Sequence, residues 1–557
     1  MIQTLRRAIV LLATTAFAVT GLLLAAPAAQ AARAAQSAGV PTLYVDLTGS
    51  YYRTDKPAPT VNTTTAAGAF DAVNNSGSHT IAGGITAEVV DPANPLNNFV
   101  DNGTTDASTG VTTYGEIRGR GNYTWQTLPN LWKPEIAGWV TSMSQGTASF
   151  TQAQVSKRPY QIKLSAKHDI LGMGSAKTWV LLANHGDGSL MRNKTAMDLA
   201  AEFGLPYTPQ SRFVDLVVNG RYQGNYLLAE KVQEGGTRVA LKDQNGVLVE
   251  MDNNYYSTEP QQLVWKSSRG NFFTLKDAYD GAIPDPDANN NVTLPANVQA
   301  GWADFQKKWN AFESALYSSS PDWNVISTQI DVDTFIKFYV IQEFTENPEI
   351  ARSSIYFYKD GINDTLHAGP VWDFDSSLGN YSAENLGGNP NVWYTRRISA
   401  YRTGANYFEQ LFRTSGWEAA VKALYVKQLK LGVDGSIGNL SRYETLMASS
   451  ANKNFQKWPA LGGNVFFPPF MDHFRSTWAG EVNDLRNYMG ARAAFLNANW
   501  APGITASSSD CQTSTTGAAI STPGAFNALA PCRMLDTRTR NGGSGPESVE
   551  CAGSGDR

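Results

Sequence analysis

The sequence is short of cysteine, histidine and charge. Of 557 residues only three are cysteines, Cys511, Cys532 and Cys551, and all lie beyond the main body. A body without cysteine cannot lean on disulfides, so it must rely on its core, and at this length it can. Histidines number five. His168, His185 and His367 stand beside no cysteine or acidic cluster of metal spacing, so they read as ordinary surface or core residues. That weakens a third class of function, a metal-assisted hydrolase of phosphate esters or glycans, which would want histidine ligands or a well-spaced acid pair. Charged residues make up 17%, the formal net charge is −4, and no basic block occurs. Nucleic acid and anionic lipid are therefore poor choices for the main partner. After the N-terminus no apolar run is long enough to span a bilayer.

The N-terminus itself reads as a secretory signal peptide over residues 1–31. Arg6 and Arg7 give a positive start, Ala8 to Ala26 is apolar or small, and Ala29-Gln30-Ala31 offers a cleavage site. Its removal takes away the two arginines and moves the formal charge from −4 to −6. The expected location is extracellular or at the cell surface. Residues 505–522 are rich in Ser, Thr and Ala and read as a linker. Beyond it, residues 523–557 open like a further module but lack a hydrophobic pattern to complete one.

Between residues 40 and 500 the pattern falls into two halves. Strand-like runs come first: Thr42 to Leu47, Ile85 to Val90, Tyr114 to Arg118, Lys157 to Leu164 and Trp179 to Asn184. A helical pattern from Ser189 to Phe203 separates these from Arg212 to Val218 and Tyr222 to Ala229, joined by the hairpin signal Asn219-Gly220. From Ala300 to Leu316 and from Val332 to Glu343 the period becomes 3.6, and helices continue over Tyr407–Phe412, Trp417 to Leu431 and His473 to Asn499. The expected fold class is α+β, with a mainly antiparallel sheet followed by a helical half.

Several short stretches carry chemistry. Arg118-Gly119-Arg120-Gly121 follows a strand, so its glycines could let a backbone approach an anionic ligand, or equally form a bulge. Lys163 alternates with Ile162 and Leu164 on a strand; it is either a cation delivered to phosphates or a solvated lysine. Glu230 ends a strand and could partner a lysine in a cleft, or form an edge pair with Lys231. In Trp372-Asp373-Phe374-Asp375 the i, i+2 spacing puts two carboxylates on one side of an extended segment, where they can share a divalent cation. The alternative is an acidic turn that caps a helix. A strand to Lys359, a turn at Asp360-Gly361 and a strand reaching Trp372-Asp373 should bring Glu349 near Asp373.

Taken in order, these stretches resemble the spore coat protein H (CotH) kinase family. The likeness covers Val40 to Trp500 and rests on the segment from Ile117 to Trp125, on Lys157 to Leu164, Trp179 to Asn184, Asn219-Gly220 through Glu230, and Trp372 to Asp375. It implies an atypical protein-kinase-like two-lobed fold, with a nucleotide cleft between an N-lobe sheet and a helical C-lobe. It also implies ATP and Mg2+ or Mn2+ as cofactors. By resemblance, Lys163 contacts the nucleotide phosphates and Glu230 is its acidic partner. Arg118, Gly119, Arg120 and Gly121 form the loop beside the phosphates, Asp373 and Asp375 are the metal pair, and Glu349 is the catalytic base. Two positions depart from the usual kinase pattern: Glu349 stands where an Asp is typical, and Ser354 where an Asn is typical. The implied function is a secreted kinase phosphorylating hydroxyl side chains of surface or exported proteins. Its alternative is a catalytically weak or inactive pseudokinase-like surface protein.

Overall fold

Strands in the first half are apolar on both faces, and their arrangement gives the reason. The computed structural model describes residues 33–54, 60–121, 125, 157–287, 289–380, 388–397, 404–462 and 475–504. The signal segment 1–31, the linker 505–522, and residues 523–557 with the three cysteines lie outside the described residues, as do Asn122, Tyr123 and Thr124 of the arginine–glycine stretch.

Seven strands carry the first half: β1 (Thr42–Arg53), β2 (Ile81–Val90), β3 (Gly115–Gly119), β4 (Tyr160–Asp169), β5 (Ser175–Leu182), β6 (Ser211–Val218) and β7 (Arg221–Glu230). They pair in the order β1-β6-β7-β5-β4-β3-β2, and β2 pairs back onto β1. The mainly antiparallel sheet expected is present, and it closes into a barrel. All these pairs are antiparallel except β1 with β6, where Thr42 lies opposite Asp215. Val45, Ile117, Ile162, Trp179, Leu181 and Leu228 fill the barrel, plugged by Ala69 and Val73 of α1 (Ala66–Asn74). Their neighbours Val180, Leu182, Phe213, Leu227 and Ala229 face outward into a second core. With both faces apolar, polarity alone would not prevent a one-residue slip. The β6–β7 turn fixes register there: Asn219 and Gly220 have φ of 48° and 72°, as the Asn-Gly signal requires.

The second core lies between the barrel wall, a five-stranded antiparallel sheet and the helices. That sheet holds β8 (Val247–Met251), β9 (Val264–Lys266), β10 (Phe272–Ala278), β11 (Ile355–Lys359) and β12 (His367–Ala368), in the order β9-β10-β8-β11-β12. The main helices are α2 (Arg192–Glu202), α3 (Ala296–Leu316), α4 (Val332–Thr345), α5 (Lys430–Lys457) and α6 (Trp478–Trp500). Helix α4 is buried along its whole length from Thr334, which makes it the central post of the second half. Among the described residues no helix is long and apolar enough to cross a membrane.

Two expectations fail locally. The strand expected to reach Trp372-Asp373 ends at Ala368, because Pro370 has no N–H to extend a ladder and Asp373 turns left-handed at φ 67°. The helix expected to stop at Leu431 instead continues through a turn of π-helix (Tyr425–Leu429) into α5 and runs to Lys457. Gly432, Gly435 and Gly438 each cost about 1 kcal/mol against Ala in a helix. Packing overrides that cost: a Cβ on Gly432 would lie 2.9 Å from the Phe203 ring, so the glycine lets α5 seat closely beside the end of α2.

Candidate active site

The loop after α4 is built from side chains that cap and bend it. Glu346 ends the helix in a left-handed conformation, φ 49°. Asn347 then caps the short 3-10 turn Pro348–Ala351, its Oδ1 accepting from the Glu349 amide at 3.2 Å. The same side chain donates through Nδ2 to the Asp373 carbonyl at 3.3 Å, tying this loop to the aspartate turn. Ser353 Oγ donates to Glu349 Oε2 at 2.6 Å, and Ser354 Oγ donates to Asp373 Oδ2 at 3.3 Å. Glu346, Ser354 and Asp373 are all non-glycine residues at positive φ. Three such residues at one place, each costing on the order of 1 kcal/mol, persist only where the surroundings over-determine them, as at functional sites.

The aspartate turn is held from the barrel side. Phe374 N donates to Asn193 Oδ1 at 2.7 Å, and Asn380 Nδ2 donates to the carbonyls of Asp375 and Gly186, both at 2.7 Å. Arg192, at the start of α2, pairs with buried Asp187 at 2.5 Å and donates to the Ser377 carbonyl at 3.0 Å.

Charge concentrates here. Glu349, Asp373 and Asp375 are each half-buried. Burial, then the charge of Asp373, pushes the Glu349 carboxyl up to about 7. Burial also raises Asp373, opposed by Arg120 and by the Ser354 hydroxyl. Asp375 is raised well above the carboxylate range by burial and by Asp373, Asp187 and Glu349. Three carboxyls so placed cannot all ionise unaided. An all-oxygen donor set suits a hard divalent cation such as Mg2+ or Mn2+, whose charge would take the place of protons.

Facing them is a basic wall on the outside of the barrel. Arg120 lies within electrostatic reach of Asp373 and 5.4 Å over the Trp372 ring. Arg118 points to the same side and, with the Gln161 amide oriented to suit both groups, donates to its oxygen at 3.0 and 3.1 Å. Lys163 is exposed on this face, two residues along β4 from Gln161 and so further from Asp373. It lies opposite Thr178, and extending the β5–β7 register by one residue sets Lys231 on the other side of Thr178. Burial, with Arg118 next, lowers Lys231 to about 8, and it has no ion pair among the described residues. Lys231 was missed in the sequence because it abuts Glu230; only alternation along β7, which points it away from the barrel, could have shown it.

The structure does not bring Glu230 to Lys163. Glu230 points toward the barrel end, accepts from Gln210 N at 2.9 Å, and has Arg238 as its cation at 3.9 Å. Nor does Gly119 face the basic wall. It is buried, and a Cβ there would lie 2.4 Å from the Trp125 ring, whereas Gly121 makes the following turn at φ 77°. Gly119→Ala should therefore cost about 1–3 kcal/mol in thermal or denaturant unfolding. Loss of ATP binding without loss of stability would instead place Gly119 at the phosphates.

Two further features went unread in the sequence. Glu250 and Asp252, at the end of β8, add carboxyls behind Glu349, and burial raises Glu250 to about 7 although Lys276 stands 3.3 Å away. His367 is not isolated: with Asp360 and Asp364 it forms the group of metal-type side chains that converge within 4.8 Å among the described residues. This group lies at the far end of β11, roughly 16 Å along the strand from Ser354. Its carboxylates already have partners, Asp364 the His367 ring at 3.0 Å and Asp360 the Lys242 ammonium at 2.6 Å. A cavity of about 330 Å³ borders Leu378, Gly379 and Asn380 but does not include Glu349, Asp373 or Asp375. Burial raises the proton affinity of those three carboxyls, which lie outside that cavity.

Comparison with known proteins gives the family of most of the chain. Residues 117–496 match the family described as CotH kinase protein. A stretch of 201 residues, 36% of the chain, is 22% identical to inner spore coat protein H of Bacillus subtilis (strain 168). That stretch spans about half of the relative, 49% of its length.

Proposed function

The chain belongs to the CotH kinase family, and from that premise we propose that it is an atypical kinase transferring the γ-phosphoryl of ATP to hydroxyl side chains of surface or exported proteins. The barrel would serve as the N-lobe and the helices as the C-lobe, with nucleotide between the basic wall and the carboxyls. The observation that carries this reading is the crowding of Glu349, Asp373 and Asp375 opposite Arg120. The apolar, signal-like N-terminus and the relative's printed name support a site of action outside the cell.

Asp373 and Asp375 would hold a divalent cation, Mg2+ or Mn2+, which when bound neutralises phosphate charge. Arg120 and Arg118, with Lys163 and Lys231 further along the wall, would bind the phosphates. Glu349 would orient the acceptor hydroxyl and take its proton as the hydroxyl oxygen bonds to the γ-phosphorus. The bond from that phosphorus to the bridging oxygen breaks, and ADP leaves. A second reading, a weak or inactive pseudokinase-like binding protein, is favoured by one contact: Ser353 occupies a Glu349 oxygen that a base would need.

Binding of ATP that depends on Mg2+ or Mn2+, measured by calorimetry, tests the site. Glu349→Gln separates the two readings. It should lower phosphate transfer by roughly 10²-fold with ATP affinity intact. Transfer at the parent rate would remove Glu349 as the base, and binding without transfer in the parent would favour the pseudokinase.

A further inference from the structure

Arg492, on α6, has no exposed surface, yet it lies among carboxylates and carbonyls and touches no residue of the proposed site. Its guanidinium stands 3.1 Å from Glu343 and 2.9 Å from Glu346, the last residues of α4 and its cap. It also donates to the carbonyls of Pro390 at 2.8 Å and Val392 at 2.7 Å. Glu343 in turn accepts from the amides of Tyr394 at 2.6 Å and Thr395 at 3.0 Å, and Tyr488 of α6 donates to Glu346. One planar group thus joins the end of α4, the segment 388–397 and α6. From that junction the chain runs directly into both loops of the site. Glu346 is followed by Asn347, whose amide holds the Asp373 carbonyl, and Leu378 N donates to the Thr345 carbonyl at 2.6 Å.

A buried ion network of this kind is poor evidence for stability, since apolar residues of the same volume often do as well or better. What it supplies is a single geometry, because a guanidinium fork fixes several acceptors at once. We propose that Arg492 is a positioning residue: by holding Glu343 and Glu346 it sets the spacing between the loop bearing Glu349 and the turn bearing Asp373 and Asp375. This rests on the phosphoryl-transfer reading of those residues.

Arg492→Lys keeps the charge and loses the fork. Misplacement of reacting groups by about 1 Å costs roughly 10²-fold. The variant should therefore show kcat for phosphate transfer from ATP to casein, used as a generic acceptor, lowered about 10–100-fold. KM for ATP should stay within about threefold. Amide hydrogen exchange should quicken at residues 347–354 and 373–378 and not in β1 to β7. Unchanged exchange in both segments overturns the proposal, as does exchange that quickens throughout the barrel, which marks general destabilisation. Should Arg492→Lys not fold, Glu346→Gln, which keeps the shape but removes the charge that Arg492 holds at 2.9 Å, should quicken the same two segments, and no change there is equally fatal. A parent that neither binds ATP nor transfers phosphate sinks the phosphoryl-transfer reading, while the exchange measurement still decides whether Arg492 sets the loops.

Discussion

Asp373→Asn should give a protein that is more heat-stable than its parent in the absence of metal and that no longer transfers phosphate. In the metal-free protein burial disfavours the charged forms of Glu349, Asp373 and Asp375, and the charge of Asp373 raises the affinity of the other two for protons. An amide at position 373 removes one of these charges and keeps the shape, so mutual repulsion falls. Carboxyls whose folded-state pKa is raised lend stability that is complete below the ordinary carboxylate range and lost as pH rises through the folded value. For Glu349 that value is about 7. The metal-free parent should therefore lose thermal stability between pH 5 and 7.5, by more than Asp373→Asn does, and Mg2+ with ATP should restore it. Function moves the other way. Losing one of the two carboxylates that would hold the cation should lower kcat on the order of 10³-fold. Scanning calorimetry across pH and a radiolabelled transfer assay check both halves. A variant that melts below its parent at pH 7.5 without metal, or that transfers phosphate within tenfold of it, would show that these carboxyls are not a crowded metal pair.

Arg192→Ala has the largest expected cost in stability. Its partner Asp187 is fully buried and Arg192 nearly so, and the guanidinium also donates to the Ser377 carbonyl. Removing one member of a buried pair leaves an unpaired charge, typically at 3–5 kcal/mol. For a body of this size that is a fall in melting temperature of roughly 3–5 °C. The loss should be non-additive: Asp187→Asn combined with Arg192→Ala should cost less than the two single changes together, because the stranded charge is gone. Urea unfolding of the two single variants and the double variant gives the coupling directly. Strict additivity would mean that the pair contributes nothing beyond its separate contacts. Arg192 also braces residues 377 and 378, so nucleotide binding should weaken in parallel, if Asp375 is the metal ligand proposed.

The parts of the fold that were legible in the sequence are local. The Asn219-Gly220 turn, the strand Ile355–Lys359 and the helix Tyr407–Phe412 each carry their signal within a few residues, and each forms with the expected bounds or close to them. Barrel closure was not legible, because no pattern within Thr42 to Val45 distinguishes a strand with one neighbour from one flanked by both β2 and β6. The length of α5 was hidden by its glycines, of which Gly432 is seated against the Phe203 ring at the end of α2. β8 and β10 were legible in the same local way, since Val247–Met251 and Phe272–Ala278 carry the apolar and aromatic residues a strand needs. At the site, the approach of Glu349 to Asp373 followed from the loop and hairpin order. The left-handed turn at Asp373 did not, since it is imposed by Asn193, Asn347 and Ser354 from three other segments. Lys231 and Arg492 fall in the same class: their neighbours are distant in sequence, so their company appears only in three dimensions.

The parallel pairing of β1 with β6 also bears on how the molecule is made. Thr42 to Val45 leave the ribosome early, but their partners Asp215 to Val218 follow only after the strands that form most of the wall. Until then β1 can pair with β2 alone, and its other edge stays open. The first half therefore cannot be sealed in the order of its synthesis; an unsealed edge must persist across nearly the whole first half of translation. Contacts so far apart in sequence slow folding, because the intervening chain must be ordered before they form. The export proposed for this chain would gain from that delay, since a polypeptide that has not yet closed is still one that can be threaded.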